Sequence, residues 1–109
     1  RMGDVVYVAR TTSTVPGEIV QHPYEVAGQV ENTLSIIRWA LEEHDLAWSD
    51  LVRTRTYIVG GPDKLTEGEA ALGEVIGGMD TVAAVVGVPV LGRPEVVVEI
   101  EATAIAASG

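Results

Sequence analysis

Between Glu95 and Ala107 the chain reads EVVVEIEATAIAA, and it alternates with period two. Val96, Val98, Ile100, Ala102, Ala104 and Ala106 form one wholly apolar set, while Glu95, Val97, Glu99, Glu101, Thr103 and Ile105 form the other. Side chains of a strand point alternately to opposite faces, so the pattern predicts one long β-strand buried on its even face. The odd face mixes carboxylates with β-branched residues, which a merely solvated face rarely does. Two readings stay open for it: a half-exposed face carrying two charges, or the lining of a semi-enclosed interface or pocket.

Something has to cover the even face, and the rest of the chain supplies candidates. Tyr24 to Leu46 carries Val26, Val30, Leu34, Ile37 and Leu41 at helical spacing, with Glu31, Arg38, Glu42 and Glu43 largely opposite. That predicts an amphipathic helix, with Pro23 suited to its first turn and His44 in its last. Leu65 to Ile76 predicts a second helix that Gly68 and Gly73 weaken, with Asp63 as its N-cap. Further strands are expected at Asp4 to Ala9, Leu51 to Val59 and Thr81 to Val88, and a brief one at Glu18 to Val20. Arg10 to Gly17 is rich in Thr, Ser, Pro and Gly, so it reads as a loop. Trp48-Ser49-Asp50 reads as a turn. The order is thus β, α, β, α, β, β, and two helices can cover only one face of such a sheet. The other face needs a partner, and its mixed character suggests another copy of the same chain, for which closed symmetric assembly is the usual solution.

Composition narrows the functions open to such a molecule. A chain of 109 residues is expected to form one domain over 1–109, small enough to gain from burial in an oligomer. Its net charge is −9 and its seven cations are scattered, so phosphate backbones are repelled and nucleic acid is not the expected partner. No apolar run reaches membrane-spanning length and no leader is visible, so no membrane partner is expected and the cytosol is the default compartment. Without cysteine there is no disulfide and no thiolate chemistry. His22 and His44 are too isolated to make a metal motif, and Gly60-Gly61-Pro62 lacks the Gly-Lys-Ser/Thr of a phosphate loop. No metal and no cofactor is expected. The remaining constellation is Glu99 and Glu101 with Arg53 and Arg55, all placed on strand faces. Either these form cross-strand ion pairs, or one carboxylate sits in a pocket with a raised pKa and orders a water.

Three pieces of the chain resemble the Rid (YjgF-type) family, named for deamination of reactive enamine and imine intermediates. They are GDVVYVA at 3–9, QVENTLSIIRWALEEHDLAWSDLVRTRTYIV at 29–59 and VVVEIEATAIA at 96–106, in the family's order and near its spacing. The strand that precedes GDVVYVA in the family is absent from this sequence. The resemblance implies an α+β fold of the chorismate-mutase-like (YjgF-like) type: a mixed sheet with two helices on one face, three chains closing into a barrel, and pockets between neighbouring subunits. It implies that Glu99, the first Glu of V-E-I-E-A, lines the pocket and holds the attacking water, whereas Glu101 is structural. The family's carboxylate-gripping arginine falls on Asp80, with Thr81 at the neighbouring Ser/Thr position and Val82 at the next pocket position. The family's V-S-G-Q loop reads Val8-Ala9-Arg10-Thr11 here.

The resemblance thus implies a homotrimer acting on a small molecule with an imine, enamine or related reactive carbonyl group. In that reading Glu99 and Thr81 are catalytic, and Arg10, Asp80, Val82, Ala9 and Thr11 line the substrate site. Asp80 would repel the carboxylate of a simple 2-imino acid, so weak activity on such substrates is expected. Arg10 is the candidate for a relocated cation, bound to an anionic substrate group or to a carboxylate of the site. The alternative is a trimeric ligand-binding or scaffold domain without catalysis.

Overall fold

The computed structural model describes residues 5–15 and 19–106. Its strands are β1 (Val5–Thr12), β2 (Thr14–Val15), β3 (Ile19–Val20), β4 (Leu51–Val59), β5 (Val82–Val88) and β6 (Val98–Ile105). Its helices are α1 (Val26–Glu43) and α2 (Pro62–Ile76), with a single 3-10 turn at Trp48–Asp50. Four strands form one sheet in the order β1-β6-β4-β5, while β2 and β3 pair as a small hairpin. β6 is antiparallel to both of its neighbours. β5 is parallel to β4, as a crossover through α2 allows.

Both helices lie against one face. The stripe expected on α1 is the stripe observed: Val26, Val30, Leu34, Ile37 and Leu41 are buried, against Val98, Ile100, Ala102 and Ala104 of β6. α2 adds Ala71, Leu72 and Ile76 beside Ile58 of β4. Tyr7, Arg53, Arg55, Tyr57, Glu99, Glu101, Thr103, Val82 and Val86 share the opposite face through the strand registers. Among the described residues, no helix covers that open face. Among the described residues, no helix is long and apolar enough to cross a membrane.

Several boundaries differ from expectation for identifiable reasons. The strand at the start runs on through Arg10 to Thr12 instead of giving way to a loop at Arg10. From Val8 to Thr11 it advances three residues while β6 advances two, from Ala102 to Ile100, so one extra residue forms a β-bulge. In the Thr-rich segment that follows, Thr14–Val15 forms β2 and pairs with β3. One short strand is thus added where a loop was expected, while β3 falls on the brief strand expected at Glu18 to Val20. Ser13 anchors the hairpin: its hydroxyl donates to Gln21 O at 3.0 Å and accepts from Asn32 Nδ2 at 2.7 Å. Asp4, Glu18 and Ala107, at the ends of expected strands, lie outside the described residues.

The closing strand begins at Val98 rather than Glu95: the amide oxygen of Gln29 takes Val97 N and Val98 N, while Val97 O still accepts from Val59 N at 2.9 Å. Val96 and Val97 are consequently buried in succession, which alternation forbids. Helix α1 starts at Val26, leaving Pro23 outside it, because His22 and Tyr24 take positive φ values of 53° and 65°. Helix α2 starts three residues before Leu65, with Gly61 as N-cap and Pro62 and Asp63 in the first turn; Asp63 is therefore not the cap.

Candidate functional site

The bulge in β1 decides where Arg10 goes. Val6 and Val8 face the helices, opposite Ala104 and Ala102. Strict alternation would send Arg10 the same way, into the core. The extra residue shifts the parity, so that Thr12 stands opposite Glu99 and Arg10 emerges on the open face. There its Nε lies 3.5 Å from Oε1 of Glu99, and its guanidinium carbon stands 4.3 Å from the centre of the Tyr57 ring. The Tyr57 hydroxyl in turn donates to Oε1 of Glu101 at 2.8 Å.

Tyr57 thus reaches Glu101 through its hydroxyl and Glu99 only through the Arg10 guanidinium over its ring. The Glu99 side chain keeps 14% of its accessibility and Arg10 keeps 53%, so the carboxylate is sheltered and the cation covers it from the solvent side. Bonding to Tyr57 is the largest cause holding Arg10 above its ordinary pKa; desolvation opposes it and the charge of Glu99 adds to it. A cation raised in this way contributes below its ordinary value and loses that contribution only as pH rises through the higher one, so Arg10 stays charged around neutrality.

Arg53 and Arg55 do not join this network, although Arg55 stands directly opposite Glu101 in the ladder. They line, with Tyr7, Glu101 and Thr103, a concavity of about 300 Å3 that meets the network at Glu101. The cross-strand ion pairs expected between β4 and β6 therefore do not form: Glu99 pairs with Arg10, and Glu101 accepts from Tyr57. Tyr57 was missed as a site residue in the sequence. The signal was present, because Tyr57 shares the alternating set of Arg53 and Arg55, and an aromatic with a hydroxyl two residues from an arginine can serve both charges.

The remaining expected site residues lie elsewhere in the chain. Val82 opens β5 opposite Arg53, and Tyr57, beside Glu99, is four residues further along β4, ~13 Å at the rise of a strand. Asp80 is exposed just before β5, at the far end of the sheet from Glu99. Thr81 donates its hydroxyl to Leu51 O at 2.8 Å, tying the start of β5 to β4. Val82 is 70% exposed on the open face. Thr11 is aligned with Ile100 in the ladder. The side chain of Ala9 lies outside the described residues. Within one chain the fold unites Arg10 with Glu99 and leaves Asp80, Thr81 and Val82 apart from them. Among the described residues, no three His, Cys, Asp or Glu side chains are grouped to hold a metal ion.

The family model described as Endoribonuclease L-PSP matches residues 1–106. No curated protein matches the sequence. Among solved structures, YyfB of Yersinia pestis, described as a Rid-family protein of unknown function, is 28% identical with a TM-score of 0.84, over 94% of this chain and 79% of that one. Rv2704 of Mycobacterium tuberculosis, described as a member of the YjgF/YER057c/UK114 family, is 30% identical with a TM-score of 0.82, over 97% of this chain and 82% of that one. The YjgF gene product of E. coli is 21% identical with a TM-score of 0.80, over 96% of this chain and 83% of that one, a likeness of fold. The α+β architecture, with two helices on one face of a mixed sheet, is the YjgF fold. With a family model spanning nearly all of the sequence and the same fold in YyfB and Rv2704, the chain belongs to the YjgF/Rid family.

Proposed function

We propose that this chain is a small-molecule enzyme that hydrolyses an imine, an enamine or a related reactive carbonyl compound, at a site on the open sheet face between copies of a homotrimer. The observation that carries the reading is Glu99: a sheltered carboxylate at the first Glu of V-E-I-E-A, held by a cation on a sheet face that no helix covers. In the reaction Glu99 accepts a proton from water as the water oxygen bonds to the imine carbon. The imine nitrogen takes up a proton, the carbinolamine collapses, and ammonia leaves as the carbonyl forms. Arg10 orients an anionic group of the substrate beside Glu99. Asp80, Thr81 and Val82 reach the same site only from a neighbouring copy, because within one chain they lie at the other end of the sheet. The family model's description names an endoribonuclease. A net charge of −9 opposes an RNA backbone and favours a small substrate.

Ammonia release from 2-aminoacrylate-type imines generated in situ tests the reading, with the imino acids of alanine, leucine and methionine for comparison. All of these carry a 2-carboxylate, and 2-aminoacrylate is the enamine tautomer of alanine's imino acid. Weak turnover is therefore expected on every one of them, because Asp80 stands where the family keeps an arginine. Hydrolysis is expected on an imine whose anionic group is not a 2-carboxylate. Glu99→Gln is expected to lower the rate roughly 100-fold or more, at the scale of a lost general base. Arg10→Ala is expected to weaken substrate binding, and Arg38→Ala, on the outer side of α1, to leave it unchanged. Equal rates for wild type and Glu99→Gln would remove Glu99 from the reaction. A second reading, a ligand-binding domain without catalysis, is favoured by one observation: Arg10 already occupies the carboxylate of Glu99. Retained ligand binding with no ammonia release from any imine would select it.

A further inference from the structure

The open face carries two arginines that the Arg10–Glu99–Tyr57–Glu101 network does not use. Arg53 and Arg55 are exposed on β4, and among the described residues neither side chain makes an ion pair or hydrogen bond. The natural cross-strand partner of Arg55 is Glu101, directly opposite. That carboxylate accepts the Tyr57 hydroxyl instead, and Glu99 is held by Arg10. Both acids of the face are therefore engaged.

Charge is also divided unevenly over the molecule. Arg10, Arg53 and Arg55 against Glu99 and Glu101 give the open face +1, which leaves four cations and fourteen acids, or −10, for the rest of the −9 chain. A small anion is repelled nearly everywhere on this surface and drawn to this face.

We infer that Arg53 and Arg55 form a binding site for a small oxyanion with two negative charges, of the phosphate or dicarboxylate kind. Their α-carbons lie about 7 Å apart on one side of β4, so the two guanidinium forks can present paired N–H donors to separate oxygens of one ligand. The concavity they line holds about 300 Å3, the lower end of the range for small-molecule sites. Tyr7 and Thr103 supply hydroxyls that both donate and accept. A singly charged ligand would leave one arginine unmatched. Glu101 also lines the concavity, with its carboxylate engaged by the Tyr57 hydroxyl, and its charge turns the uncharged part of the ligand towards its own side. This site stands apart from Glu99 and does not rest on imine hydrolysis.

Isothermal titration at low ionic strength with two probes, inorganic phosphate and malonate, tests the inference without any imine present. Wild type and Arg38→Gln are expected to bind at least one probe, and the tighter of the two identifies the ligand class. The double variant Arg53→Gln/Arg55→Gln is expected to bind roughly 100-fold more weakly, the loss of two charge-assisted contacts. Arg53→Lys/Arg55→Lys keeps the charge, loses the forks and is expected to fall between, which separates recognition from a folding defect. No binding of either probe by wild type overturns the inference. So does a double variant that binds as wild type does while its assembly mass falls, since the arginines would then serve contacts between copies. Absence of imine hydrolysis counts against Glu99 alone.

Discussion

Gln29 uses all four bonding positions of its side-chain amide while fully buried. Its Nε2 donates to His22 O at 2.9 Å and Glu95 O at 2.7 Å, and its Oε1 accepts from Val97 N at 2.9 Å and Val98 N at 3.1 Å. One side chain on α1 thereby holds the loop before the helix and the entry to β6. It also restrains His22, whose left-handed backbone is unfavourable for a residue with a side chain. Gln29→Leu is expected to lower unfolding free energy by about 2–6 kcal/mol, since two buried N–H groups lose their acceptor at ~1–3 kcal/mol each. Urea denaturation measures it, and a loss under about 1 kcal/mol would mean that those groups find other partners. A signal for Gln29 exists in the sequence, because it lies three residues after Val26 and one before Val30, on the edge of the apolar stripe. Its partners at 95–98 have no such signal, being more than sixty residues away. Arg10 is similar: its identity is plain in the sequence, and its direction depends on a bulge that exists only against β6.

At the scale of elements, the two glycines inside α2 make the clearest contrast. A Cβ on Gly68 would run into Cδ1 of the fully buried Ile58 and stand 3.5 Å from Cγ1 of Val26, where α2 crosses β4 and α1. A Cβ on Gly73 would meet nothing within 4 Å. Both weaken the helix intrinsically, by about 1 kcal/mol relative to alanine. Gly73→Ala is therefore expected to stabilise the protein by ~0.5–1 kcal/mol. Gly68→Ala is expected to destabilise it by about 1 kcal/mol, because overpacking outweighs the helical gain. Thermal melts of both variants check the contrast, and equal shifts of the same sign would show that Ile58 repacks freely. The expected weakness of α2 came from counting glycines. That one of them is a packing requirement follows only from what lies across the layer.

For the whole molecule, the open face and the outer edge of β5 are the surfaces that the proposed assembly would cover. Tyr7, Val82, Val86 and Ile105 are exposed apolar side chains on or beside that face, and β5 is an edge strand of seven uncharged residues. An exposed apolar edge favours pairing with another chain, and a closed symmetric assembly removes both liabilities together. Sedimentation equilibrium is expected to return three times the chain mass of 11.5 kDa at micromolar concentration. A single-chain mass would show that the face is covered by nothing larger than water.

The alternation of the closing strand, the stripe on α1 and the two-helix count determined the layers of this protein from its sequence, because an apolar face has to be buried wherever its periodicity places it. The same alternation put Glu99 with Glu101, and Arg53 with Arg55, each pair on one side of its own strand; the β4–β6 register put both pairs on one sheet face. Alternation left open which cation meets which carboxylate. That choice belonged to tertiary structure: the bulge at Ala9-Arg10 and the register of β6 against β4 set parities between segments distant in the chain. A one-residue shift there moves a side chain from the core to the open face, so Glu99 meets Arg10, Tyr57 takes Glu101, and Arg53 and Arg55 are left facing outward.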